Sequence, residues 1–424
     1  MKEEFLHYIW QYRLFKQNSI KLSDGNIIKI IDVGSQNTDA GPDFFNAKIQ
    51  IGSTLWAGNV EVHIKSSDWY KHNHHINKAY DNVILHIVKE NDANVKNTLG
   101  EKIPTIEIDF DNDIYLRYSD LLKSKLWIPC EKNLNRVDNF TVNQWISKLT
   151  IERLEDKSLR IEEILIKNKN NWEETFYQSI SKNFGLKINA DPFQMLACSI
   201  PLKYLAKHKN SLFQLEALLF GQAGFLSEDE LGDDYYESLK KEYYFLKIKF
   251  ELKPIEKHLW KFLRLRPGNF PTIRIAQFAG LIYKSSSLFS KIIEIENVNE
   301  LRNILNSKHS EYWDTHYVFN KKSLKRKKNL GNLFFYSIMI NTIIPFLFLY
   351  GKNRNNNDLK ERAVDFLEKL PAENNSIIKA WSDLNINAEN AAYSQGLLQL
   401  KNNYCNPKRC LHCQIGNKII RKKK

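Results

Sequence analysis

Two neighbouring runs decide the fold of the N-terminal region. One is Gly41-Pro-Asp-Phe-Phe-Asn46, which continues to Ile51; the other is Trp56-Ala-Gly-Asn-Val-Glu-Val-His-Ile-Lys65. Period-two alternation in the second run puts Val60, Val62 and Ile64 on one face and Glu61, His63 and Lys65 on the other. It reads as a strand with an apolar face to bury and a face carrying an acid, an imidazole and an amine. Gly52-Ser-Thr54 between the runs is a turn signal, so the two strands form a hairpin. Asp43, at the start of the first strand, then comes near Glu61 and His63 on the second. Carboxylates brought together in this way can hold a divalent cation and steer a water. The competing reading is a sheet with an exposed polar face.

The totals set the frame around this hairpin. A chain of 424 residues is too long for one ordinary core, which predicts two or three domains. Hydrophobic content of 43% with 12% aromatics belongs to a folded protein and excludes a disordered one. The net charge of +13 favours an anionic partner, nucleic acid before a membrane surface; a lysine- and asparagine-rich composition alone gives the same number. Five cysteines, three of them clustered near the end, point to a reducing cytoplasm and away from a disulfide framework. Met1-Lys-Glu-Glu4 leads into an amphipathic pattern without a long apolar run, so no secretory signal is expected. Leu333 to Tyr350 is 18 residues without a charge, but it contains Asn341, Thr342 and Pro345. A buried helix broken near Pro345 is expected there, with no membrane span.

Along the chain, residues 3–17 form a helical stripe through Phe5, Ile9, Tyr12 and Leu14–Phe15. Asp24-Gly25 signals a turn, and Ile27 to Val33 a short strand. After the hairpin, Ser67-Asp68-Trp69 opens a polar helical segment; Val83 to Val88 and Ile103 to Phe110 read as strands. Trp127-Ile-Pro-Cys130 and the polar run to Asn139 mark a boundary. Beyond it the period is helical: Val142 to Ile166, Trp172 to Phe184, Phe193 to His208, Leu212 to Phe220 and Tyr235 to Phe250. The fold class is α+β. A mixed sheet with flanking helices fills residues 1–130, a large all-α domain 139–400, and a cysteine-containing tail with a basic end 401–424.

Three further constellations carry chemistry. His72 and His75, three residues apart, share a face if their segment is helical, and with His63 they can join a metal site or bind zinc themselves. His74 reads as solvated and His86 as a hydrogen-bonded core residue. Cys405, Cys410 and Cys413 are spaced to wrap one ion, with Cys130 as the preferred fourth ligand; zinc and a four-iron cluster both accept four thiolates. Cys198, alone in an apolar helix, reads as core. Arg264, Arg266 and Arg274 surround two prolines and suit phosphate recognition, or equally salt bridges to acidic helices.

The order helix, three strands, helix, strand, with Pro42-Asp43 and Glu61-x-His63, resembles the PD-(D/E)XK nuclease superfamily over roughly the first 110 residues. The resemblance implies a restriction-endonuclease-like core, Mg²⁺ or Mn²⁺ on Asp43 and Glu61, and His63 in the place of the usual lysine. Lys65 lies on the same face, one step further on. The whole chain also resembles an uncharacterised bacterial family known only as a domain of unknown function. The carrying residues are Asp39-Ala-Gly-Pro-Asp-Phe44, Gly58-Asn-Val-Glu-Val-His63, Ser66-Ser-Asp-Trp69, Ala79-Tyr-Asp-Asn82, Glu216 through Phe225, Arg264-Leu-Arg-Pro267 and the cysteine tail. That family brings no activity with it. The leading expectation is a metal-dependent nuclease or nucleic-acid-processing enzyme. The alternatives are a non-catalytic nucleic-acid-binding or scaffold protein with a structural metal knuckle, and a zinc hydrolase built on the histidines.

Overall fold

The computed structural model describes residues 1–16, 20, 22, 27–227, 229–285 and 287–421. The expected turn at Asp24-Gly25 and the last three lysines of the basic end lie outside the described residues. The chain is α+β and separates into two compact units, residues 1–145 with 400–424, and residues 146–399. The cysteine tail therefore belongs to the first unit, and the change of unit falls within a helix, later than the expected 130–139 boundary.

The first unit opens with helix α1 (Glu3–Gln11), which buries Phe5, Leu6 and Ile9. It is shorter than the apolar stripe suggested. Arg13 takes a positive φ of 52° and donates to Ile31 O at 2.6 Å, so the chain turns away before Leu14 and Phe15 can extend the helix. The mixed sheet comprises β1 (Ile28–Asp32), β2 (Ser35–Gln36), β3 (Phe44–Ile51), β4 (Thr54–Lys65), β5 (Val83–Glu90) and β6 (Thr105–Glu107). Its order is β1-β3-β4-β5-β6, with β2 also on β3. β1, β3 and β4 are antiparallel neighbours, whereas β5 runs parallel to β4 and β6 parallel to β5. The β3–β4 hairpin turns through Gly52 and Ser53, with Ile51 opposite Thr54. Gly58 lets β5 approach: a Cβ there would stand 2.4 Å from Ile84 Cγ2 and 2.7 Å from Asn82 O.

Both faces of β4 are buried from Val60 to His63. The polar face is not exposed, because α1 and the segment from Asp68 to Tyr80 cover it. That segment is not one helix. It breaks into α2 (Asp68–Lys71) and two 3₁₀ turns, His74–Ile76 and Lys78–Tyr80, because Asn73 adopts φ 60° and ψ 28°. Helix α3 (Asn112–Lys123) completes the layer, with Tyr118 stacked on Phe5 at 5.3 Å.

The second unit is dominated by helices: α4 (Asn139–Lys167, shared with the first unit), α5 (Trp172–Phe184), α6 (Ala190–Ser199), α7 (Leu202–Lys207), α8 (Leu212–Gln222), α9 (Asp234–Phe250) and α10 (Pro271–Lys284), with shorter ones beyond. One helix expected over 193–208 is two, since Pro201 supplies no N–H and starts α7. Asn332–Asn353 is the described stretch long and apolar enough to cross a membrane, and 72% of its most apolar window is buried within the protein. Its irregularity is a π-turn at Met339–Ile343, just ahead of Pro345, which absorbs the missing proline donor without ending the helix.

Candidate metal centre

The hairpin and the helix above it gather two carboxylates and several imidazoles. Asp43 is held in place by a loop built on Asn37, whose Nδ2 donates to Asp39 O, Ala40 O and Pro42 O. The Asp43 N–H donates to Glu61 Oε2 at 3.1 Å, and the Val62 N–H donates to Asp43 Oδ2 at 3.0 Å. Each acid is thus pinned by the backbone of the other's strand. Asp43 and Glu61 meet as the hairpin reading required.

Around them stand five rings, from α1, β4, β5 and the segment between Asp68 and Tyr80. His7 Nε2 of α1 lies 3.2 Å from Asp43 Oδ2, and His74 Nε2 lies 3.1 Å from Glu61 Oε1. His63 Nε2 lies 3.6 Å from the same Glu61 oxygen. His63 bridges two further rings, Nδ1 to His86 Nε2 at 2.8 Å and Nε2 to His72 Nδ1 at 3.0 Å. A chain of imidazoles therefore runs from the buried His86 through His63 to the exposed His72. Ring nitrogens of His63, His72 and His74 all fall within 4.8 Å of one another, close enough to share one ion. The pocket is backed by Trp69, fully buried, and by Tyr80, stacked on His74 at 3.8 Å. Ser66 and Ser67 fix the start of this segment by donating to Asp92.

The electrostatics follow from burial. Glu61 is 5% exposed, and burial, with the Asp43 charge second, pushes its pKa up to about 9. Without a cation it keeps its proton at neutral pH. Burial and the neighbouring rings push His63 down to about 2, and burial pushes His86 down to about 3. Both are neutral, so His63 is a poor proton acceptor at physiological pH. Burial also opposes charge on His7, but Asp43 beside it outweighs this and its pKa is raised. Both ring nitrogens of His74 are buried without a hydrogen-bond partner, since the approach to Glu61 lacks hydrogen-bond geometry. Orphaned ring nitrogens beside a carboxylate that cannot ionise alone are the donor set a metal ion would complete.

Several expected residues sit elsewhere. His75 lies against Tyr70, ring centroids 5.0 Å apart, outside the cluster; the break at Asn73 turns His74 inward in its place. His74 is therefore a buried site residue and not a solvated one. Lys65 pairs with Glu90 at 3.0 Å on the exposed end of β4. Two site residues were not anticipated: Glu3 and His7, one turn apart on α1, face the cluster, and burial raises the Glu3 carboxyl. Their signal was a pair of polar residues at i and i+4 within an apolar helix.

The other constellations separate as well. Arg274 is largely buried within α10, where its guanidinium lies 3.5 Å from the Phe334 ring centroid and donates to Gln277 and Asn269, yet it still lines the same cleft as Arg266. Arg266 is exposed and lines a cleft of about 770 Å³ with Arg326 and Lys327; Arg264 is exposed too. Cys198 is exposed on α6, contrary to the core reading. Cys130, Cys405, Cys410 and Cys413 are each buried, and Cys130 lies near enough to Cys410 and Cys413 to be influenced by them.

No curated protein and no solved structure matches this chain. A family model described as a protein of unknown function (DUF2851) matches residues 3–376, a span that contains the whole carboxylate–histidine cluster and stops short of the tail cysteines. The chain belongs to the DUF2851 family.

Proposed function

We propose that Asp43, Glu61 and the imidazoles beside them bind a divalent metal ion, and that the protein is a metal-dependent phosphodiesterase acting on nucleic acid. The carrying observation is the reciprocal pinning of a half-buried Asp43 and a buried Glu61 across β3 and β4, at 3.1 and 3.0 Å. Both carboxylates can ionise together at neutral pH only with a cation beside them; without one, Glu61 keeps its proton. A bound divalent ion supplies a polarised phosphate and a water of lowered pKa.

The chain's own residues take the remaining roles. Asp43 Oδ, Glu61 Oε and His74 Nε2 are the ligand atoms the pocket offers. His63, neutral and hydrogen-bonded on both sides, positions His72 and His86 and adds no positive charge of its own. His72 is the exposed ring of the chain and brings the cluster to the solvent. The sheet order supports the PD-(D/E)XK resemblance: antiparallel strands carry the two acids, and a parallel strand follows. The net charge of +13 supports a polyanionic substrate, with Arg264 and Arg266 as exposed contacts.

A second reading, a zinc-dependent hydrolase, is favoured by the convergence of His63, His72 and His74 within 4.8 Å. Cleavage of single- and double-stranded DNA and RNA with Mg²⁺, Mn²⁺ or Zn²⁺ tests both. Wild-type protein should cut at least one polymer, and Asp43→Asn and Glu61→Gln should abolish cutting while nucleic-acid binding persists. Binding without cleavage by metal-loaded wild type would leave the scaffold alternative. Cleavage only with Zn²⁺, lost in His72→Ala, would favour the second reading.

A further inference from the structure

The C-terminal segment holds a second, separate cluster. Cys130, Cys405, Cys410 and Cys413 are all buried and none forms a disulfide, whereas Cys198 is exposed. They come from positions far apart in sequence, Cys130 from the loop after α3 and the others from the turns before the last helix, Gln414–Arg421. The four thiols are near enough that Cys130 feels Cys413 and Cys410, and Cys405 feels all three.

We propose that these four cysteines bind a thiolate-ligated metal centre, a zinc ion or an iron–sulfur cluster, which fastens the C-terminal segment to the loop carrying Cys130. Burial pushes the Cys413 thiol up to about 11, and the backbone N–H groups of Ile415 and Gly416 oppose that rise. Donors aimed at a sulfur favour thiolate over thiol, and such bonds tune metal–thiolate centres. Gly416 is required by the same geometry: a Cβ would lie 2.3 Å from Cys410 O.

The two segments are already brought together by lysines. Lys408 Nζ donates to Leu122 O and to Ser124 O at 2.8 Å, and Lys401 Nζ donates to Trp127 O at 2.6 Å. Lys408 takes a positive φ of 58°, which folds the Cys405–Cys410 turn back so that Lys408 N reaches Cys405 O at 3.2 Å. The stretch that carries the cysteines consists of a π-turn and a 3₁₀ turn, which offer little stability of their own. Packed cysteines in an ordinary core stand singly among aliphatic groups; here four buried thiols lie near enough to influence one another. Binding releases the thiol protons and leaves four anionic ligands around one cationic centre.

The test is the metal content of the full chain, purified once in air with zinc in the medium and once anaerobically with iron. About one equivalent of zinc in a colourless protein, kept in His72→Ala and lost in Cys130→Ser, supports a tetrathiolate ion. A brown protein absorbing near ~400 nm, with iron and sulfide together, supports a cluster. Cys130→Ser and Cys413→Ser should each lose the metal, whereas Cys198→Ser should keep it. Where a variant fails to fold, a chelator added to wild type should release the metal and expose the C-terminal segment to proteolysis. Folded wild type that carries no metal from either preparation, or that pairs these cysteines as disulfides, would overturn the proposal.

Discussion

The protein buries two glutamates in opposite ways. Glu216, in the second unit, is fully enclosed and receives hydrogen bonds from the Tyr235 hydroxyl, Ser310 N at 3.2 Å, Ser310 Oγ at 2.9 Å and Trp313 Nε1 at 3.3 Å. Glu61, in the first unit, is almost as deeply buried but accepts one backbone hydrogen bond and faces a second carboxylate. A buried acid with a complete set of donors is a structural strut. One left half-satisfied beside a like charge is costly to keep, and such sites are characteristic of function. The sequence marks Glu61 through the alternation of its strand and the Glu-x-His spacing, whereas nothing local marks Glu216 as a buried strut.

The largest expected effect falls on the strut. Glu216→Ala strands four donors in an apolar core and should destabilise the protein by about 3–5 kcal/mol, read from denaturant unfolding. A loss below about 1 kcal/mol would mean that Glu216 is not the strut described. At the other glutamate, His74→Ala should weaken Mn²⁺ binding roughly tenfold to a hundredfold without comparable loss of stability, measured by calorimetric titration. Unchanged affinity would remove His74 from the ligand set.

A smaller effect sharpens the contrast through pH. Lys157 donates to Ile340 O and Asn341 Oδ1 at 3.0 Å and to Gln395 Oε1 at 2.7 Å, and desolvation lowers its pKa to about 7. Between about pH 7 and 10.5 the unfolded chain holds this proton and the folded chain does not, so stability rises with pH in that window. Unfolding free energies at pH 7 and pH 9 should show that rise in wild type and a flatter profile in Lys157→Met. Equal slopes would assign the rise to other groups.

Much of the first unit was legible because its signals are local. Alternation in β4 and the Gly52 turn gave the hairpin, and the hairpin alone brings Asp43 to Glu61. Cys130 was the preferred partner for the tail cysteines because Cys198 was the one other cysteine and lay in an apolar helix. What stayed hidden depends on tertiary contacts. Glu3 and His7 enter the site only when α1 docks on β4, and the exchange of His75 for His74 turns on one left-handed residue, Asn73. Arg274 looked like a loop arginine, but Pro271 starts α10 and carries it into the core.

The most direct test compares the two glutamates as amides, by thermal unfolding of wild type, Glu61→Gln and Glu216→Gln with and without Mn²⁺, a cation that prefers oxygen and imidazole ligands to the tail thiolates. Metal-free Glu61 holds a proton up to about pH 9, so at neutral pH its amide should preserve or raise the metal-free melting temperature. The same variant should lose the Mn²⁺-induced rise seen in wild type. Glu216→Gln should melt earlier yet keep that rise. If Glu61→Gln melts earlier like Glu216→Gln and still gains the full Mn²⁺ stabilisation, the carboxylate–histidine cluster is structural and the metal centre is not there.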